Sequence, residues 1–495
     1  MMKRYQSERY IAILMMAAAL MAGVHSVEAA PTDPLAASIE QNDAEAALAR
    51  EEAERQERAA RENAGIRPDN IFVPVHQVEI RGNAKLTEAD IRDILPELYK
   101  DHVSIHKLAQ QIQMANESGA VAFHVDFHES PLKGRLDATV LVREDSSQQA
   151  AISVSNTGND YTGDWRTTVS FLDANLSGKL DTLGAAWVTS PDHVGDVQQV
   201  AVSYRRSQPK TTGTWNFNAS YSRVDLGNVS PDSLRGILDY TAKGSGISAG
   251  LHYQQHLSYT AKERDSWDIG VDYQRSNSEY GYTFQSYVPY SEAWRQDYHI
   301  ATLSLGFQHI DRGAHHVFFW GADVATSLDN AGKSYQEVTP GSANQFTVLH
   351  GNLLYQYRTN SNWILGMHLQ GQYTRQHLVS LAQIGAGGLR TVRGFEERVI
   401  SSDYGIVGNL EIYAPELCKG LRLLAFTDFA SLANHTNEET FAFGNESIAS
   451  AGLGLRYANE KSGIGISVDY AKILDDVRNT NLSHRRWNVN CSYRF

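Results

Sequence analysis

From residue 150 to residue 495, apolar and polar side chains alternate at every second position, in short segments broken by Gly, Asn, Asp and Ser. Trp363, Leu365, Met367, Leu369 and Tyr373 share one face, and His368, Gln370, Gln372 and Thr374 the other. Leu303, Leu305 and Phe307 repeat the pattern, as do Ile464, Ile466, Val468 and Tyr470. A period of two marks strands with one apolar face. Sixteen segments begin near residues 151, 165, 181, 197, 213, 246, 266, 298, 315, 346, 362, 404, 421, 448, 462 and 485. That leaves roughly 10 residues per strand, a spanning length for a tilted strand, and an even number is what bacterial barrels use. Alternation alone also suits a soluble sandwich. Count and length together predict an all-β transmembrane barrel of about 16 antiparallel strands, with longer connections at 224–244, 276–297, 329–345, 376–403 and 431–447.

The head of the chain has a different texture. Lys3, Arg4 and Arg9 precede an apolar run from Ile11 to Ala22, and Val27-Glu28-Ala29 supplies small residues for cleavage, so residues 1–29 are read as a secretory signal. Residues 30–63 are rich in Ala, Glu and Arg, with i,i+4 pairs Glu51/Arg55, Glu54/Arg58 and Glu57/Arg61 that support a helix. No apolar stripe follows Leu48, which suits either a solvated spacer or a helix standing in a water-filled lumen. Gly65 and Pro68 make residues 64–71 a linker.

Residues 72–145 predict a βααββ unit. Val78 and Ile80 alternate with charged neighbours before a turn at Gly82-Asn83. Thr87 caps a helix carrying Ile91, Ile94, Leu95 and Leu98, which Pro96 ends or kinks. Ile105, Leu108, Ala109 and Ile112 line a second helix that stops near Gly119. Two period-2 strands follow, Val121, Phe123, Val125, Phe127 and then Leu136, Ala138, Val140, Val142.

Bulk composition agrees with this division. A mean hydropathy of −0.39 argues against a helical membrane protein, whereas barrels look soluble because only alternate residues face lipid. The net charge of −13 leaves no basic surface for nucleic acid. Cys418 and Cys491 are too few and too far apart for a disulfide framework or metal site.

The run Ile384-Gly385-Ala386-Gly387-Gly388-Leu389-Arg390-Thr391-Val392-Arg393-Gly394-Phe395 is followed by Gly408-Asn409-Leu410-Glu411-Ile412-Tyr413-Ala414-Pro415. Further on come Leu424-Ala425-Phe426-Thr427-Asp428-Phe429 and Ala449-Ser450-Ala451-Gly452-Leu453-Gly454-Leu455-Arg456. Arg393 on an inward loop and Asp428 on the wall are suited to a charge-assisted fork. Together these runs resemble the C-terminal half of the two-partner secretion transporters, the TpsB family of filamentous-haemagglutinin and haemolysin transporters. Residues 72–145 similarly resemble a POTRA domain, the periplasmic polypeptide-binding module of barrel translocators.

The resemblance implies an outer-membrane protein with its POTRA domain in the periplasm and residues 30–63 as a plug helix. Its partners are a large secreted exoprotein, an adhesin or cytolysin, together with outer-membrane lipid and the barrel-assembly machinery. The segment 376–403 is the sixth outward loop, folded back into the pore, where Arg393 and Asp428 latch it. Gly394 allows close approach and Phe395 packs beside it. A POTRA edge strand around Val121, Phe123, Val125 and Phe127 would take an extended client by main-chain pairing. The alternating C-terminal strand ending in Phe495 resembles the assembly signal of bacterial outer-membrane proteins. The family usually carries two POTRA domains, and the chain has room for one.

Enzymatic motifs find no context. Gly246-Ile247-Ser248-Ala249-Gly250 matches G-x-S-x-G but lies in an alternating strand, not a strand-turn-helix elbow. The histidines are scattered without H-E-x-x-H spacing, and no phosphate-binding loop is present, so no cofactor is expected. Two alternatives to secretion are a barrel-assembly factor of the same superfamily and a diffusion porin.

Overall fold

The computed structural model describes residues 71–495, apart from 118–119, 145, 160, 229–237, 285–289, 329–331, 436–444, 460–461 and 477–483. The residues read as signal peptide, plug helix and, apart from Ile71, linker therefore lie outside the described residues.

Residues 72–144 form a small α/β unit built from strands β1 (Phe72–Arg81), β2 (His102–Ser104), β3 (Val121–Glu129) and β4 (Leu136–Glu144). Helices α1 (Glu88–Ile94) and α2 (Ile105–Asn116) cover one face of a sheet ordered β2-β1-β4-β3. Thr87 and Asp90 form a reciprocal capping box that starts α1. Pro96 opens a short 3-10 turn, as its missing N–H requires. The brief strand β2 was not anticipated; three residues between two helices are too few to show a period. Ile91, Leu95, Leu98, Val103, Phe123 and Val140 make the core, which continues into the barrel turn through Leu86, Ala174 and Leu180.

The barrel begins with β5 (Gln148–Ser155), β6 (Arg166–Asp173), β7 (Asp181–Thr189), β8 (Val197–Gln208) and β9 (Gly213–Asn228). It continues with β10 (Leu238–Tyr259), β11 (Glu263–Phe284), β12 (Tyr290–Arg312), β13 (His316–Ser327), β14 (Thr347–Arg358) and β15 (Ile364–Thr374). After the short ladders β16 (Ile384–Ala386), β17 (Gly394–Phe395) and β18 (Ile400–Ser402), the wall resumes at β19 (Tyr404–Tyr413). It then runs through β20 (Leu421–Ala433), β21 (Asn445–Asn459) and β22 (Ile464–Asp475), passes β23 (His484–Arg485), and ends at β24 (Trp487–Arg494). Sixteen of these strands close one antiparallel barrel, sealed where β24 pairs with β5 from Asn490↔Ser155 to Arg494↔Ala151.

Outward positions carry an apolar belt. On β10, Ile247, Leu251 and Leu257 are exposed; Ile247 to Leu257 spans roughly 33 Å along the strand, about 25 Å after tilting, the height of a lipid-facing band. Inward positions of the same wall are polar: His252 hydrogen-bonds both Asp268 and Asp272 in the lumen. Among the described residues no helix is long and apolar enough to cross a membrane.

Two segments read as long connections are largely strand. β9 to β12 continue past the belt, with Tyr240, Tyr280, Tyr282 and Trp294 clustered on the inward side. Outward, Lys243 pairs with Glu279 and Arg275 forks onto Asp297. The ladder extends because side chains on both faces have partners, yet the outward face beyond the belt is charged, so the apolar period disappears. The connection after β13 holds helix α3 (Gly332–Val338).

Candidate functional site

The chain leaves β15 at the end of the barrel remote from the N-terminal unit, folds into the lumen over residues 376–403, and returns through β19. Inside, Val392, Phe395 and Ile400 are buried against lumen-facing Val407, Ala430, Leu432 and Ile448. That apolar contact drives the loop inward; polar partners then determine where it stops.

Arg393 is 3% exposed and Asp428 fully buried. The guanidinium donates from Nε to Asp428 Oδ2 at 2.7 Å and from Nη2 to Oδ1 at 2.8 Å, and the Arg393 main-chain N–H adds a 3.1 Å bond to Oδ2. Arg393 Nη1 lies 2.8 Å from Glu411 Oε1 and 3.6 Å from Asp469 Oδ2. Arg456 in turn forks onto Asp469 at 2.7 and 2.9 Å. Asn409 donates to Asp428 Oδ1 and to Thr391 O, and Tyr413 donates to Glu411 at 2.6 Å. The Arg393 guanidinium carbon stands 3.6 Å over the Phe426 ring, where the π face favours a cation. Three carboxylates thus face two guanidiniums around a buried Arg393–Asp428 pair, where charged hydrogen bonds are strong and an unpaired charge is costly.

Glycine makes this approach possible twice. Gly394 has φ +99°, and a Cβ there would stand 3.1 Å from that of Ala471. A Cβ on Gly454 would strike Asp469 Oδ1, so its absence lets that carboxylate reach Arg456.

A further buried carboxylate ties the root of the loop. Asp403 accepts from His377 Nδ1, Leu378 N and His435 N, each at 2.8 Å, and from Gln383 Nε2 at 3.1 Å. Beside it Tyr335 of α3 is fully buried against Tyr298, Ile300, Phe346, Val348 and Leu378, and donates to His299 O at 2.9 Å. The mouth is therefore narrowed by the loop root and α3 together.

The structure brings Arg393, Gly394, Phe395 and Asp428 into one cluster, and Gly394–Phe395 pairs with His484–Arg485 of the final outer connection. Sequence reasoning passed over Glu411, Asn409, Arg456 and Asp469 as participants. Each occupies a lumen-facing position of an alternating strand, but which of them meet depends on register, as in Asn409↔Asp428. The other sequence candidates lie elsewhere. Val121 and Phe123 are buried, and Val125 and Phe127 half-buried, in the N-terminal unit's own core; β3 presents a main-chain edge instead. Phe495 is exposed beside Tyr493, with its N–H on Ala150 O at 2.9 Å. Among the described residues Glu263, Asp265 and His309 come near enough to converge on an ion, but Asp265 and His309 already pair at 2.7 Å on the outer surface.

A family model described as haemolysin secretion/activation protein ShlB/FhaC/HecB matches residues 137–457. The heme/hemopexin transporter protein HuxB of Haemophilus influenzae (strain 86-028NP) is 22% identical over 368 residues, 71% of this chain; the chain spans 61% of that relative's length. Among solved structures, CdiB from Escherichia coli aligns at TM-score 0.69 and 14% identity, covering 86% of this chain and 76% of that one. CdiB from Acinetobacter baumannii aligns at 0.67 and 16%, covering 86% and 74%. BamA from Haemophilus ducreyi lacking POTRA domains 1–3 aligns at 0.54 and 15%, covering 86% and 85%. The chain is a sixteen-stranded outer-membrane barrel that belongs to the haemolysin secretion/activation family ShlB/FhaC/HecB.

Proposed function

We propose that this protein is the outer-membrane transporter of a two-partner secretion pair. It takes an unfolded exoprotein in the periplasm, passes it through the barrel lumen and releases it at the cell surface. The observation that carries this reading is the buried Arg393–Asp428 pair, which holds a loop inside the barrel lumen. Residues 72–145 act as the periplasmic POTRA domain, docked on the barrel through Leu86, Ala174 and Leu180. Residues 1–29 direct export, residues 30–63 plug the pore, and Phe495 closes the strand read by the assembly machinery. The Arg393–Asp428 fork latches the inward loop, and transport requires a loop that the fork can hold in and return to that position.

A barrel-assembly factor is the second reading, favoured by the BamA likeness; the higher TM-scores to CdiB weigh against it. HuxB is named as a heme/hemopexin transporter, so a heme-acquiring exoprotein joins adhesins and cytolysins among the candidate clients. Deleting the gene and comparing supernatant and surface proteins by mass spectrometry tests the function. Loss of one or two very large exoproteins supports secretion. Broad loss of barrels makes the protein an assembly factor, and no change refutes both.

A further inference from the structure

The edge of the N-terminal sheet is already partly occupied. β3 pairs with β4 on one side only, and in an antiparallel pair alternate residues turn their N–H and C=O away from the partner. Phe123 is one of these. Its N–H donates to Asn116 Oδ1 at 2.7 Å, and its C=O accepts from Asn116 Nδ2 at 3.1 Å. One side-chain amide thus makes the two bonds that a residue of an added strand would make. Val125, Phe127 and Glu129 have the same outward phase, and among the described residues nothing pairs with their main chain.

Asn116 is held in place from outside its own domain. It is the last residue of α2, and Glu117 beside it is bound by Arg264 and Tyr259 at the β10–β11 turn of the barrel. Arg264 lies over the Tyr259 ring at 4.5 Å, and Tyr259 is fully buried. The barrel rim therefore presents the amide to the edge.

We infer that Asn116 is a placeholder for an incoming strand: an extended, unfolded segment adds to β3 along Val125, Phe127 and Glu129, and displaces Asn116 from Phe123 to complete the ladder. This rests on the secretion reading for the source of that segment, not for the geometry. The occupant is a polypeptide with alternating side chains. Its apolar residues lie with half-buried Val125 and Phe127, and its polar ones with exposed His124, Asp126 and His128. Main-chain pairing makes the site tolerant of sequence.

The test uses the full-length protein in detergent micelles. The probe is a fluorescein-labelled peptide of alternating valine and threonine with a lysine at each end, followed by fluorescence polarisation. Asn116→Ala removes the competitor and should tighten binding about fivefold, the scale of one neutral hydrogen bond. Asn116→Asp, which accepts from the Phe123 N–H but cannot donate to its carbonyl when ionised, should fall between. Val125→Pro deletes an outward N–H at a position where an edge strand tolerates proline, and should abolish binding. Thermal melts confirm that each variant folds. Unchanged or weaker binding by Asn116→Ala overturns the inference, as does full binding by Val125→Pro or no binding by any form. None of these outcomes bears on the exoprotein profile of the deletion strain, so the two readings fail separately.

Discussion

Replacing Arg393 with alanine removes the only guanidinium that reaches Asp428 among the described residues. Three charge-assisted contacts go, at 2.7, 2.8 and 2.8 Å; the main-chain N–H of residue 393 remains on Asp428. Asp428 is then buried with one N–H and the Asn409 amide, and Asp469 keeps only Arg456 as cation. Breaking a buried pair from one side costs about 3–5 kcal/mol, which shifts the loop-in population by roughly two to four orders of magnitude. The wall strands keep their ladders, so the barrel should stay folded and heat-modifiable on gels. The assay is protease cleavage at Arg390 and Arg398 in intact cells, read beside exoprotein in the supernatant. Cleavage should rise sharply and secretion be lost. A lysine at 393 keeps the charge but not the fork and should give an intermediate result. If the alanine variant keeps its loop protected and secretes normally, the latch argument is wrong.

Gly394→Ala forces a Cβ into a left-handed backbone 3.1 Å from Ala471; it should cost about 1–2 kcal/mol, visible as partial loop cleavage with reduced secretion. Leu251→Arg places a charge on the lipid face and should cost about 2–4 kcal/mol, lowering the heat-modifiable fraction in membranes. In the N-terminal unit, burial pushes the Glu144 carboxyl up, but the N–H groups of Leu86, Ala84 and Lys85 outweigh it and hold it below its ordinary value. A depressed carboxylate contributes stability that is complete above its unfolded pKa, roughly 4.3, and lost as pH falls through the folded value. Protection of Ala84–Leu86 against hydrogen exchange, taken relative to the intrinsic rate at each pH, should therefore fall on acidification below that point. Glu144→Gln should be less protected already at neutral pH, with a protection that is flat across the window.

Some of this molecule was legible along the chain. The wall strands were, because each alternation is a local property: Leu365 and Tyr373 face out and Gln372 and Thr374 in whatever their neighbours do. The attraction between Arg393 and Asp428 was suggested by charge type on a loop and a wall. The lengths of β10 to β12 were not legible, since above the belt the outward face trades apolar residues for ion pairs such as Arg275–Asp297, and a charged strand has no apolar period.

By itself, then, the sequence determined the period-2 wall and the approximate strand starts, which follow from chirality, propensity and local side-chain alternation. The inward course of the Arg-Gly-Phe loop was expected from the family resemblance and not from any local pattern. Tertiary structure alone decided that Glu411, Asp469 and Arg456 join Arg393, that Asp403 gathers four donors at the loop root, and that Asn116 meets Phe123. Those meetings depend on register across several strands and on how a helix end sits against a sheet edge. Such relations couple residues far apart in the chain, and no local pattern encodes them.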